Sequence, residues 1–299
     1  MNKIYYRNRY KNELIEEKVP GFILIKLLYC SIFTKPLLKL IVANKFMSVL
    51  YGKLMKTASS KKKIIKFAKN YEINMNESDK TISEFNSFND FFIRKLKPDA
   101  RLIDSDSNSI ISPADGKVLI FEDIENSNIF NIKGDKFSVD NIMQNKDITD
   151  KFQNYSMVVV RLAPTDYHRF HFPCTCTAKE THEIAGYYYS VSPLALSSIP
   201  NIFCQNKRTI CHAHNEQIGQ FYIIEIGATM VGSVIQTYNP KEIVNKGDEK
   251  GYFEFGGSTV ILLFKKDSIK FDNDLILNTK EGIETKIKMG ERIGSIKIT

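Results

Sequence analysis

KGDEKGYFEFGGSTVILLF, residues 246–264, sets Gly256-Gly257-Ser258-Thr259 between an acidic, glycine-punctuated turn and an apolar run that reads as a buried strand. Glycine inside a strand forfeits packing and costs conformational entropy, so the pair marks a bulge or a backbone path closed to other residues. Taken alone, the four residues predict a bulge carrying a surface Ser-Thr pair. Their surroundings decide whether Ser258 does more.

Outward from this stretch, short β-type runs recur at 117–121, 157–162, 221–226, 231–237 and 259–264, punctuated by Gly, Pro, Asn and Asp. They predict a β-rich domain over residues 105–299. GDEKGYF (247–253) and GERIGSI (290–296) share glycines four apart with an apolar residue two positions later. Two copies predict a repeated hairpin inside a compact sandwich or barrel; a solenoid needs more.

Three polar motifs lie in the same region. Asp115 sits in SPADGKV (112–118), where Asp-Gly before an apolar run signals a turn. A carboxylate on such a turn can also orient a histidine. His168 and His171 lie in PTDYHRFHFP (164–173), a proline-bounded loop or single turn. Imidazole titrates near neutrality, which suits proton transfer, although two structural histidines would read the same way. Cys174-x-Cys176 and Cys211-His212-x-His214 offer zinc ligands at tighter spacing than structural zinc elements use, so thiols without metal fit better.

The 299 residues allow one or two domains. Residues 1–70 hold 16 Lys or Arg against three Asp or Glu, a net charge of +13, whereas the remainder carries −5. Between 36 and 55, Leu38, Ile41, Val42, Phe46, Val49, Leu50 and Leu54 recur at helical spacing, with Lys45, Lys53 and Lys56 mostly opposite. A basic amphipathic helix of this kind docks on an anionic membrane or packs on a core; the local charge favours the membrane. GFILIKLLYCSIF (21–33), broken by Lys26, is too short to span a bilayer. No nucleic-acid motif accompanies the charge. Five cysteines, an odd number without framework spacing, predict a reducing, cytoplasmic setting, and no signal peptide is expected. FNSFNDFFIRKLKPDARLID (85–104) predicts a short helix closing at Pro98, and DSDSNS (104–109) a linker. Arg94, Lys95 and Arg169 are available phosphate contacts. The expected fold is α+β: a basic, mainly helical membrane-associating region over 1–104, then a β-rich sandwich or barrel-like catalytic core over 105–299.

SPADGKV, PTDYHRFHFP, IGATMVGS (226–233) and the opening stretch, in this order, closely resemble the motifs of the phosphatidylserine decarboxylase family from about residue 85 to the C-terminus. Met230 departs from the polar residue many relatives carry there. The resemblance implies a proenzyme that cuts itself between Gly257 and Ser258 into a β chain (1–257) and an α chain (258–299), the latter capped by a pyruvoyl group derived from Ser258. It implies decarboxylation of phosphatidylserine to phosphatidylethanolamine through a Schiff base with that group. It gives His171, oriented by Asp115, the proton of the Ser258 hydroxyl during cleavage, and His168 the protonation of the former α-carbon. Phosphatidylserine in an anionic membrane and the two daughter chains are the implied partners; no metal is implied, and a homodimer is left open. The implied location is peripheral, on the cytoplasmic face of the cell membrane. A non-catalytic membrane-binding protein, a zinc protein and a soluble pyruvoyl amino-acid decarboxylase remain alternatives, the last leaving the basic N-terminus unexplained.

Overall fold

Four apolar runs form the centre of the molecule. A computed structural model describes residues 4–31, 34, 38, 45–125, 130–132, 135–144, 154–228 and 233–297. In it Gly219–Gly227, Ser258–Lys265, Asn154–Leu162 and Gly116–Glu125 lie side by side and antiparallel. They are apolar at successive positions because both sheet faces are covered. Val118, Val158, Val160, Val260 and Leu262 pack one side, and Leu119, Met157, Val159, Ile261 and Leu263 the other.

These strands belong to an eleven-stranded sheet. Arg208–Asn215, Cys176–Ala178 and Ile243–Val244 extend it one way; Glu284–Ile287, Tyr5–Asn8 and Glu13–Glu16 extend it the other. Its outer strands do not meet among the described residues, so the barrel-like expectation gives way to an open sheet flanked by smaller ones. One outer strand, Glu13–Glu16, is short and carries exposed glutamates, which blunt its free edge. The N-terminal segment is therefore not wholly separate, since Tyr5–Asn8 pairs in parallel with Glu284–Ile287.

The echo between GDEKGYF and GERIGSI is a repeated glycine turn and strand but not the expected hairpin, because the strands before and after each turn pair elsewhere. Gly247 and Gly290 both take the left-handed backbone, φ 88 and 89. Each opens a strand, Glu249–Phe253 or Arg292–Ile296, whose second glycine sits at a register shift. The strands that these two flank clasp each other: Ile111 N–H donates to the Pro173 carbonyl (3.0 Å) and His171 N–H to that of Pro113 (2.7 Å). Ser112 and Phe172 likewise donate to Glu291 and Asp248, and accept from Gly290 and Gly247. Residues 109–116 thus correspond to 169–176. His171 occupies the place of Ile111, and Asp115 that of Thr175, so the two candidate residues sit at different positions of the repeated motif.

Before the core, helices Lys45–Met55, Lys63–Asn70 and Phe88–Phe92 surround a third apolar cluster of Met55, Ile64, Phe85, Phe88, Phe91 and Phe92, whereas helix Phe22–Cys30 packs Ile25, Leu28 and Tyr29 on the cluster that holds Leu119 and Met157. The helix expected over 36–55 is described from Lys45; 35–37 and 39–44 lie outside the described residues. The short helix expected in 85–104 starts at a Ser87 cap, whose Oγ accepts from Asp90 N–H, and ends before Ile93, well short of Pro98. No helix among the described residues is long and apolar enough to cross a membrane.

Candidate active site

Ser258 is the first residue of its strand, paired with Gly227 on one side and Leu162 on the other. It is fully buried, and its Oγ has no hydrogen-bond partner. A buried hydroxyl left unpaired is costly, so its presence calls for a role. Just upstream, Phe255 N–H donates to Asn89 Oδ1 at 3.0 Å, and the Phe255 ring packs on Phe88 and Phe92. The Gly256-Gly257 link therefore runs between two clamps, the helix Phe88–Phe92 and the central sheet. Gly256, at φ 147, holds a conformation other residues avoid. Gly257 has space: a Cβ there would touch only Val191 Cγ2 at 3.6 Å and Ala228 Cβ at 3.7 Å. Asn206, fully buried, fixes the neighbouring strand end by donating from Nδ2 to the Gly227 and Tyr189 carbonyls. Of the IGATMVGS motif, residues 229–232, Met230 included, lie outside the described residues.

His168 lies at the edge of this link. Its Nδ1 bonds the Asp166 carbonyl at 2.8 Å, an acceptor, so Nδ1 carries the proton and Nε2 a free lone pair. Nε2 is buried and unpartnered. Burial pushes the imidazole down to about 3, against the pull of the Asp166 carbonyl and carboxylate and of the Gly256 backbone. The ring is neutral at physiological pH and packs at a 37° tilt against Phe92, ring centroids 3.9 Å apart.

His171, which the sequence places in a loop, ends the short strand Arg169–His171. Its Nδ1 donates to the Gly247 carbonyl at 2.9 Å, and its Nε2 accepts from the Tyr167 hydroxyl at 3.2 Å. Burial keeps the Tyr167 phenol above its usual range, hence protonated. Burial also lowers the affinity of His171 for a proton, while Glu249 and Asp115 act to raise it.

Asp115 does not hold His171 directly. Arg101 grips its carboxylate with Nε on Oδ1 (2.8 Å) and Nη2 on Oδ2 (2.5 Å), and Met289 N–H donates to Oδ1 at 2.9 Å. The expected orienting bond is replaced by a field effect because an arginine fork matches a carboxylate better than an imidazole does. Arg101 lies in the quoted stretch 85–104, but nothing in its sequence surroundings singles it out. Of the proposed phosphate contacts, Arg94 is buried with its guanidinium over the Phe91 ring, Arg169 is bound by Glu249, and Lys95 is exposed. Among the described residues no His, Cys, Asp or Glu group converges to hold a metal ion, and the Cys211 thiol lies 3.4 Å from both the Lys179 carbonyl and the Tyr238 hydroxyl.

An apolar cavity of about 330 Å³ ends on Gly256 and Gly257. The helix Phe22–Cys30 supplies Leu24, Leu28 and Tyr29 to its wall, and Arg161 and Glu17 give it a charged corner.

Known proteins share this chain's pattern. The phosphatidylserine decarboxylase family matches residues 88–295, a span that holds Ser258, both histidines and Asp115. The chain belongs to this family. It is 47% identical to a phosphatidylserine decarboxylase proenzyme of Clostridium botulinum (strain Alaska E43 / Type E3), covering 99% of both chains. Proteins of the same name from Fusobacterium nucleatum and Clostridium perfringens are 46% and 44% identical, each over 99% of this chain and at least 98% of their own length. The family likeness thus includes the N-terminal region, where no motif was legible.

Proposed function

We propose that this protein is the self-cleaving precursor of a phosphatidylserine decarboxylase whose reactive carbonyl is made from Ser258. The unpartnered Ser258 Oγ, buried beside a glycine link clamped at both ends, carries this reading. Oγ attacks the Gly257 carbonyl carbon, the Gly257–Ser258 C–N bond breaks, and the acyl group passes to oxygen. Space at Gly257 accommodates the tetrahedral geometry. Elimination of the ester releases the Gly257 carboxylate and leaves a dehydroalanine; hydrolysis consumes one water, expels ammonia and yields the pyruvoyl group. That group supplies an electron sink for the pair left when carbon dioxide departs. His168, beside the same link, takes up a proton at Nε2 once cleavage opens the site to water, and hands it to the carbon that loses carbon dioxide.

Intact mass of the purified protein is expected to show chains of 1–257 and 258–299, the smaller blocked at its N-terminus, in a preparation that converts phosphatidylserine to phosphatidylethanolamine. An active preparation holding only uncut chain overturns the proposal.

Docking on an anionic leaflet, at the cytoplasmic face of the cell membrane, completes it. Ile23 is 82% exposed, and Leu24, Leu27, Leu50, Leu54 and Ile65 are exposed as well. Lys26, Lys53, Lys62 and Lys66 are exposed on the same helical segments. Leu24 belongs both to this surface and to the cavity wall, which offers acyl chains a path towards Gly257. The five free cysteines suit a reducing compartment. Binding to phosphatidylserine vesicles should fall several-fold from about 0.1 M to about 1 M salt, as the screening length shrinks from about 10 Å to about 3 Å. Salt-independent binding would remove the electrostatic part of the docking.

A further inference from the structure

Arg161 stands one residue before Leu162, the partner of Ser258, and is itself paired in register with Thr259. It lines the cavity that ends on Gly256 and Gly257. Two carboxylates occupy its guanidinium. Glu284 takes Nε and Nη2 at 2.9 and 2.7 Å, and Glu17 takes Nη1 and Nη2 at 3.2 and 2.7 Å. Glu17 also lies 3.3 Å from the buried Lys117, which Asp166 holds at 3.2 Å. The cleavage and proton-transfer steps use neither Arg161 nor Glu17.

The charges of this cluster balance: Lys117, Arg161 and Lys286 against Glu17, Glu284 and Asp166. Withdrawing Glu17 leaves Arg161 with Glu284 and Lys117 with Asp166, a net charge of +1 facing the cavity. Glu17 is the member that can leave. Its backbone is pinned, N–H to the Ile4 carbonyl at 2.8 Å, but its side chain reaches into the cavity from the end of an outer strand, just before Lys18-Val19-Pro20-Gly21. Thr259 adds a second observation. It is fully buried on the sheet face that Arg161 shares, and its Oγ1 has no hydrogen-bond partner. A donor of that kind beside a cation suits a singly charged oxyanion.

The geometry points to Arg161 as the residue that binds the phosphodiester of the lipid substrate, with Glu17 a resident carboxylate that the phosphodiester displaces charge for charge. This rests on the decarboxylase reading above. The substrate offers two anions, and the chemistry selects between them. Its carboxylate must lose its charge as carbon dioxide leaves, so a guanidinium held on it would stabilise the ground state over the transition state. The phosphodiester keeps its charge throughout, and binding it tightly costs nothing in the chemical step. Arg161 and the Thr259 hydroxyl then donate to the phosphate oxygens, and Glu17 turns towards the cavity mouth.

Glu17→Gln keeps the shape and removes the competing charge. On phosphatidylserine in mixed micelles, KM should fall about tenfold, the scale of one charge-assisted contact no longer contested, with kcat nearly unchanged. Inhibition by the product, phosphatidylethanolamine, should strengthen by the same factor, because product keeps the phosphodiester and lacks the carboxylate. Inorganic phosphate should raise the Tm of Glu17→Gln more than that of the parent. An unchanged or higher KM overturns the assignment, as does a lower KM with unaltered product inhibition, which would place the carboxylate on Arg161. Should Glu17→Gln not fold, Glu17→Asp, which keeps the charge on a shorter arm, should lower KM in the same direction; no change overturns the proposal. A parent protein that makes no phosphatidylethanolamine would instead refute the decarboxylase reading, and the phosphate Tm comparison would still decide whether Arg161 binds the anion.

Discussion

Ser258→Ala is expected to remain a single 299-residue chain with no detectable decarboxylation, while folding as well as the parent. The two halves of this expectation have separate causes. Without Oγ nothing can attack the Gly257 carbonyl, so neither the cut nor the carbonyl derived from Ser258 can form. Stability should hold or rise slightly, because Oγ makes no hydrogen bond in its buried site and removing an unpaired buried hydroxyl relieves a desolvation cost of about 1–3 kcal/mol. Clamping should also survive, since Phe255 is held by Asn89 and the strand after residue 258 by two neighbours. Mass spectrometry, thermal unfolding and a phosphatidylethanolamine assay check all three. Two chains from the folded variant would sink Ser258 as the nucleophile.

Legibility in the sequence followed the kind of physics involved. The central strands were legible because continuous apolar runs of that length have few other solutions, and the duplicated Gly-x-x-x-Gly turns because φ near +90 at Gly247 and Gly290 demands glycine, although the strands they join do not pair as hairpins. The strands Tyr5–Asn8 and Glu13–Glu16 were not: YYRN and ELIE are the last two strands at one end of the sheet and carry no alternating pattern. Ser258, His168, His171 and Asp115 could be named from motifs, but not their partners. Arg101 on Asp115, Tyr167 on His171 and Glu17 on Arg161 are contacts between charged or polar groups that the chain brings together only on folding. Bonds of this type leave no periodicity, so an imagined Asp115–His171 bond and the observed Arg101 fork read alike from sequence.

His171→Ala should leave one chain, whereas His168→Ala should still yield two and lose about 10²- to 10⁴-fold in kcat, the usual worth of a positioned proton donor. The two rings share a tautomer, Nδ1–H on a backbone carbonyl, and differ in what surrounds Nε2. His168, pushed down to about 3 by burial, is a weak acceptor for a serine proton in the uncut chain. Cutting the link beside it admits water and a charged head group, which reverses part of that desolvation and lets it carry the proton that turnover needs. Burial lowers the proton affinity of His171 as well, but Glu249 and Asp115 oppose it, as a base for Ser258 requires, and Tyr167 covers its Nε2. Tyr167 must turn aside first, so Tyr167→Phe, which removes that cover, should cleave at least as fast as the parent. Time courses of the uncut chain, read by gel and mass, separate these outcomes. A His168→Ala protein that stays whole while His171→Ala cleaves would reverse the division and make the free Nε2 beside Gly256 the base for Ser258.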